Sequence, residues 1–255
     1  MRSPNNYGFL LANLVLRDFK IRYRNMSLGV FWSLLNPLVM MAVLTFIFTK
    51  VFRSIDQRNF HVFVLCGIIP YNFFALGWVS GTTSVVSNSS LVKRVLFPRE
   101  IVPVATVLAN CIHFLIQIAL LIAMALASGY SLDRHWLLLP AIFGLEVVFV
   151  CGLSLASSAF DVYFRDVRYV VESANTVLFW LVPIFYSFTV IPPRFHFIYQ
   201  YNPVAAVVLA CRNIILEGKA PPDSLLSKLV LVSFLAFGAG FWIFHRLKRK
   251  FADYL

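Results

Sequence analysis

Long stretches of the chain carry no charge, and their lengths set the architecture. Such runs lie between Arg24 and Lys50, His61 and Lys93, Glu100 and Asp133, Glu172 and Arg194, and Lys228 and His245. Another, from His135 to Asp161, is interrupted by Glu146 alone. A membrane-crossing helix needs about 20 mostly apolar residues. The pattern therefore predicts six spans, near 28–50, 62–86, 101–127, 136–160, 172–191 and 225–245. Backbone in lipid must satisfy its own hydrogen bonds, which leaves helices or a closed barrel. Barrel strands alternate apolar and polar residues over roughly ten positions. These runs are continuously apolar and about twice that long, so an all-α polytopic membrane protein is expected. The spans use nearly all of residues 1–255, a single transmembrane domain with no room for a separate soluble one.

Composition agrees and excludes other classes. Hydrophobic residues make up 60% of the 255 and charged residues 13%, against roughly 25% charged in a soluble domain. Disorder needs the opposite balance, and four cysteines are too few for a secreted disulfide scaffold. Lys plus Arg is 22 and Asp plus Glu 11, a formal charge of +11. With no zinc-finger or RNA-binding signature, that excess reads as loops facing anionic membrane lipid rather than nucleic acid. Arg17, Lys20, Arg22, Arg24, Lys93, Arg94, Arg99, Arg165, Arg168 and the Arg246–Lys250 run fall on one side. They outnumber the cations opposite, so both termini are expected to be cytoplasmic. The apolar stretch Phe9–Leu16 precedes a basic cluster rather than a cleavage site, unlike a signal peptide.

Three segments are not plain spans. Within 7–26, Ala12, Val15, Leu16, Phe19 and Tyr23 form one stripe, with Arg17, Lys20 and Arg24 opposite and Asp18 and Arg22 spaced as an i,i+4 pair. This predicts an amphipathic helix lying in the headgroup plane. Its cations are either a positive-inside anchor or contacts for a phosphate-bearing lipid substrate. After span two, Leu91, Val95 and Leu96 line one side of a short helix that Pro98 ends, beside Lys93 and Arg94. An apolar ridge in a basic loop suits docking to another subunit. Between Pro192 and Asp223, proline pairs bracket an apolar stretch, Val204–Leu216, too short to span. Two short re-entrant or surface helices are expected there.

Candidate chemistry inside the membrane is sparse. Glu146 is the one formal charge deep in a span, and Gln117 and His113 on span three lie at similar depth, within reach of a hydrogen bond to it. Span five carries Glu172, Thr176, Phe179, Pro183 and Tyr186 along one stripe with Asn175 beside it, and span one offers Trp32, Asn36 and Phe46 in similar phase. Such a polar-aromatic stripe suits sugars, whose apolar faces stack while their hydroxyls bond; helix packing explains it equally well. The four cysteines are expected to be small packing residues. No phosphate loop exists: Gly218-Lys219 has Asn213 where the first glycine belongs and Ala220 where Ser or Thr belongs. No HExxH or GxSxG motif appears. The chain is not expected to be an enzyme, so uphill transport would need an ion gradient or a separate ATPase.

The run Arg17-Asp-Phe-Lys-Ile-Arg-Tyr-Arg-Asn-Met-Ser-Leu-Gly-Val-Phe-Trp-Ser-Leu-Leu-Asn-Pro-Leu38 resembles the opening of permease subunits of polysaccharide-exporting ABC transporters, type-two ABC exporters. Gly67-Ile-Ile-Pro-Tyr-Asn-Phe-Phe74, Phe164-Arg-Asp166 and Tyr201-Asn-Pro203 are similar to further marks of that family, in order, across essentially the whole chain. The resemblance implies a homodimer in the bacterial inner membrane bound to two copies of a cytoplasmic nucleotide-binding ATPase. ATP and Mg would reside in that partner, with no cofactor or metal in this chain. Arg17, Arg22 and Arg24 would flank the lipid headgroup entrance. Leu91, Lys93, Arg94, Val95 and Leu96 would dock the ATPase. Spans one and five, with Trp32, Asn36, Phe46, Asn175, Thr176, Phe179 and Tyr186, would line the conduit. Residues 192–223 would form the outer gate. The cargo would be a lipid-diphosphate-linked O-antigen polysaccharide, or a capsular polysaccharide or teichoic acid. Two other classes are weighed against this: an ion-coupled transporter with Glu146 and His113 as relay, for which no internal repeat is found, and a membrane transferase. A transferase would want clustered acids, and the near pair Asp161 and Asp166 has Arg165 and Arg168 beside it, which predicts ion pairing instead.

Overall fold

The computed structural model describes residues 7–24, 29–51, 59–94 and 97–255, and the regular elements in them are helical. Five are long and apolar enough to cross a membrane. They are α2 (Trp32–Phe46, continued by a wider turn to Val51), α3 (Phe60–Ser87), α5 (Ile101–Ala127), α6 (Leu139–Tyr163, entered from Arg134) and α10 (Asp223–Leu247). Before them lies α1 (Tyr7–Tyr23), and between them α4 (Ser89–Arg94), α7 (Val167–Leu181), α8 (His196–Tyr201) and α9 (Pro203–Ile215); α11 (Phe251–Tyr254) ends the chain.

The stretch expected as span five differs. α7 starts at Val167 and stops after 15 residues. Val182 is extended (φ −73, ψ 135) because the ring of Pro183 disfavours helical backbone at the residue before it. Beyond it, up to Ile191, the regular structure is one short turn, Phe188–Val190. At about 1.5 Å per residue α7 alone is roughly 22 Å long, short of a full hydrocarbon core. The region 192–223 does hold two short helices. Asn202 caps α9 by accepting from the amides of Val204 and Ala205 at 3.1 and 3.4 Å, with Pro203 in the first turn.

The bundle is built around α3, whose most apolar stretch is 72% buried against 6% for α2 and 17% for α10. Small residues set its closest contacts, as packing in lipid favours. Gly77 and Gly81 of α3 face Val150 and Ser154 of α6. Gly152 of α6 meets the α10 backbone at Ala236 and Phe237, and Gly240 meets the carbonyl of Gly152. A second, smaller cluster near the chain end gathers Val85, Val92, Val102, Leu155, Val162, Phe244 and Phe251. Beside it Arg99 donates to the Lys248 carbonyl at 2.7 Å, and Glu100 pairs with Lys248 and, at 3.5 Å, with His245.

The amphipathic segment is a helix, but its buried face is rotated from the expected one. α1 packs on α5 through Leu14, with Val15, Phe19 and Tyr23 partly covered, while Leu16 is 50% exposed. Asp18 pairs with its neighbour Arg17 at 2.8 Å and accepts from Thr106 at 3.1 Å, rather than meeting Arg22. Arg17 also reaches Asn88 at 2.7 Å. The anchored face of α1 thus follows the polar side of α5, a partner that the helix's own periodicity does not reveal.

Candidate functional site

α5 carries Thr106, Asn110, His113 and Gln117 on one face, at spacings of four, three and four residues. All four are buried. Asn110 accepts from Arg22 at 2.5 Å and donates to Ser80 at 2.8 Å. His113 bonds the Tyr23 hydroxyl and stacks near Phe19 and Tyr23. Gln117 donates to the Ser33 carbonyl at 2.9 Å. Below α1, Asn110, His113 and Gln117 open onto a cavity of about 580 Å³, walled by α1, α2, α3, α5 and α7. Pockets that enclose small ligands run roughly 300–1,000 Å³.

The chemistry of the wall is mixed. Trp32 and Asn36 enter from α2, Asn72, Phe73 and Leu76 from α3, and Glu172 and Asn175 from α7. The Asn175 side chain is 8% exposed, and its amide nitrogen and oxygen have no partner among the described residues; nor does the Asn72 amide nitrogen. A buried amide without a partner costs about 1–3 kcal/mol, so the fold holds hydrogen-bonding capacity in reserve at this wall. At the other end, burial draws the Arg22 guanidinium below its ordinary pKa, with Tyr23 and Asp18 nearby opposing the shift. Its hydrogen-bond partner is a neutral amide oxygen, which leaves its charge available to an anion.

Of the residues expected to line the entrance and the conduit, the cavity gathers Arg22, Trp32, Asn36 and Asn175, and beside them stand Glu172 of the same stripe and His113 and Gln117. Arg17 and Arg24 lie outside this cavity, and Arg17, which reaches Asn88, is already neutralised by Asp18. Phe46 is 61% exposed on the outside of α2. Thr176 faces outward and donates to the Glu172 carbonyl at 3.1 Å within its own helix. Phe179 packs into an aromatic group with Tyr71, Trp180 and Phe185. Tyr186 turns back to cap α7, its hydroxyl 2.8 Å from the Leu181 carbonyl. In the basic loop, Leu91 is half-buried and Lys93 exposed on α4, and it is Val92, 3% exposed, that anchors this helix. The Arg94 side chain, Val95 and Leu96 lie outside the described residues.

Two expected pairings do not form. Glu146 is buried with neither oxygen bonded among the described residues, because Gln117 and His113 turn toward α2 and α1. Asp161 has Arg168 and Arg165 nearby but forms no ion pair among the described residues. The four cysteines are free, with Cys66, Cys151 and Cys211 buried and Cys111 partly so.

Residues 10–216 match the family described as ABC-2 type transporter. The chain is 32% identical to the O-antigen export system permease protein RfbA of Klebsiella pneumoniae, over 100% of this chain and 99% of that one. A protein of the same description from Myxococcus xanthus is 28% identical over 99% and 98%. The polysialic acid transport protein KpsM of Escherichia coli is 24% identical over 80% of each.

Proposed function

The chain belongs to the ABC-2 type transporter family, and from that premise we propose that it is the membrane subunit of an exporter that moves lipid-diphosphate-linked O antigen across the bacterial inner membrane. The observation that carries the reading is end-to-end similarity to O-antigen export permeases. The chain works as a homodimer with both termini cytoplasmic. ATP and Mg are handled by two copies of a separate ATPase seated on α4 and the loop after it, while this chain holds no cofactor. A capsular glycan is the second reading, favoured by the weaker similarity to a polysialic acid transport protein.

The cavity supplies a physical account of the loading step. A diphosphate carries concentrated negative charge, and Arg22 offers a guanidinium whose present partner is neutral. An arginine–phosphate contact is charge-assisted and roughly twice as strong as a neutral hydrogen bond. The diphosphate displaces Asn110 from Arg22 and draws the first sugars between Trp32, Asn36, Asn72 and Asn175. There the indole face stacks on a sugar ring and the unused amides meet hydroxyls. The Phe179–Phe185 aromatic group and the 182–223 segment stand above as the exit. The test is purification of the tagged chain from cells that make the polymer. An ATPase subunit in equal amount and glycan export in proteoliposomes are expected. A chain that exports alone, driven by an ion gradient, overturns the reading.

A further inference from the structure

α9 is an apolar helix with one charge inside it. Arg212 is 5% exposed. Its guanidinium donates to the carbonyls of Ile184 at 2.6 Å, Tyr186 at 3.3 Å and Phe63 at 3.4 Å, and it lies 3.4 Å over the Phe63 ring. None of its hydrogen-bond acceptors is charged, and no ion pair among the described residues includes it. Its Nε has no partner among them. Burying an uncompensated cation is costly, so this position needs a reason.

The acceptors supply one. Helix α7 ends at Leu181, so the carbonyls of Ile184 and Tyr186 lack the helical donors that an unbroken span would give them. Irregular backbone at membrane depth is tolerated where protein or a water-filled cavity satisfies it. Arg212 satisfies it with protein. Beside the guanidinium lies a cavity of about 300 Å³ lined also by Ser187, Thr189, Asn213, Ser224 and Glu217. Glu217 is exposed, five residues on, and its backbone amide bonds the Arg212 carbonyl at 3.2 Å. Glu217, an acidic residue on an exposed stretch, therefore borders the same space as the cation that has no ion pair among the described residues.

We propose that Arg212 is a two-position latch at the outer mouth, resting on the carbonyls of the 184–186 break when the mouth is closed and on Glu217 when it is open. The proposal rests on the reading of 182–223 as the exit. Coupling to hydration follows from the chemistry. When Arg212 leaves, the Ile184 and Tyr186 carbonyls need water, which reaches them when the conduit is wet. Once there, the guanidinium gains a charged partner in place of neutral ones. Arg212 is thus a positioning residue, acting on the backbone of the break rather than on glycan.

Cys66 reports the state of the latch: it is fully buried on α3, three residues on from Phe63, whose ring and carbonyl Arg212 contacts. The experiment uses the complete complex with its ATPase in proteoliposomes. Cys66 is kept as the sole cysteine and labelled from the outer side with a membrane-impermeant maleimide. R212Q is expected to raise the labelling rate roughly tenfold, as loss of about 1.4 kcal/mol of closed-state preference would, with ATP hydrolysis retained and export impaired. Removing a nearby cation by itself slows a thiol, so faster labelling reads exposure. E217Q is expected to act oppositely, lowering labelling during turnover and slowing export. Assembled, exporting complexes whose labelling neither substitution moves, or both move the same way, overturn the latch and leave the transporter reading intact. Failure of both R212Q and R212K to assemble assigns Arg212 to folding and also overturns it. A wild-type chain with no ATPase partner removes the exit reading and the latch with it.

Discussion

Arg22 and Asn110 meet at 2.5 Å, a cation from α1 held by a neutral amide from α5. The contact fastens α1 at one end of the polar cavity through a neutral group, with the Asp18 carboxylate nearby but not paired to Arg22. R22Q keeps a hydrogen-bonding group and removes the charge. Export is expected to fall roughly tenfold or more, as loss of a charge-assisted contact worth about 1.5–3 kcal/mol would produce. R17Q should fall much less, because Asp18 already neutralises Arg17. Polymer export by complexes of equal abundance checks the pair. Equal losses would move the headgroup contact off Arg22.

Asn175 predicts a conflict between stability and function. Its amide nitrogen and oxygen are buried at the cavity wall without partners among the described residues. Asn175→Leu replaces them with an apolar side chain of similar size. Stability is expected to rise by about 1–3 kcal/mol as the unsatisfied group is removed, while export drops. Thermal unfolding of the purified complex beside a transport assay reads both. A variant that gains stability and exports normally would show that the amide serves no glycan.

These two residues also mark how far the sequence can be read. The spans were legible because charge-free length is a physical requirement of the bilayer, and α2, α3, α5, α6 and α10 appear where the runs fall. The short α7 was legible only in part: Pro183 was visible, but composition does not say that the chain stays extended after it. Asn175, Trp32 and Asn36 were legible as a polar-aromatic stripe. The opposite wall was there to be found in Asn110, His113 and Gln117, which with Thr106 form a helical stripe of polar residues in an apolar span. The partners of Arg212 were illegible, because its acceptors are backbone carbonyls 26, 28 and 149 residues away.

The α6–α10 contact depends on two glycines. A Cβ at Gly240 would collide with the Gly152 carbonyl, whereas one at Gly238 meets nothing within 4 Å. G240A is expected to cost more than the roughly 1–3 kcal/mol typical of overpacking, since backbone rather than a flexible side chain must yield. G238A in the same helix is expected to be neutral or to gain up to about 1 kcal/mol from helix propensity. Abundance in the membrane and thermal unfolding of each variant measure the contrast. Equal stability would mean that α6 and α10 do not pack through these positions.

Glu100 closes the basic loop onto the end of α10, and its ionisation gives that closure a pH dependence. Burial pushes the Glu100 carboxyl up, but the hydrogen bond from Lys248, its own backbone bond, the Lys248 charge and His245 outweigh it and leave it below the ordinary value. A carboxyl whose folded pKa is depressed binds protons more readily in the unfolded chain. Its contribution is therefore complete above the unfolded value, about 4.3, and is lost as pH falls through the depressed folded value. E100Q is expected to lower stability by roughly 1–2 kcal/mol at neutral pH, with less difference from wild type as the solution is acidified below pH ~4. Thermal unfolding from neutral to acid pH tests this. A gap between the two proteins that stays constant into acid would show that the Glu100–Lys248 pair does not hold the loop.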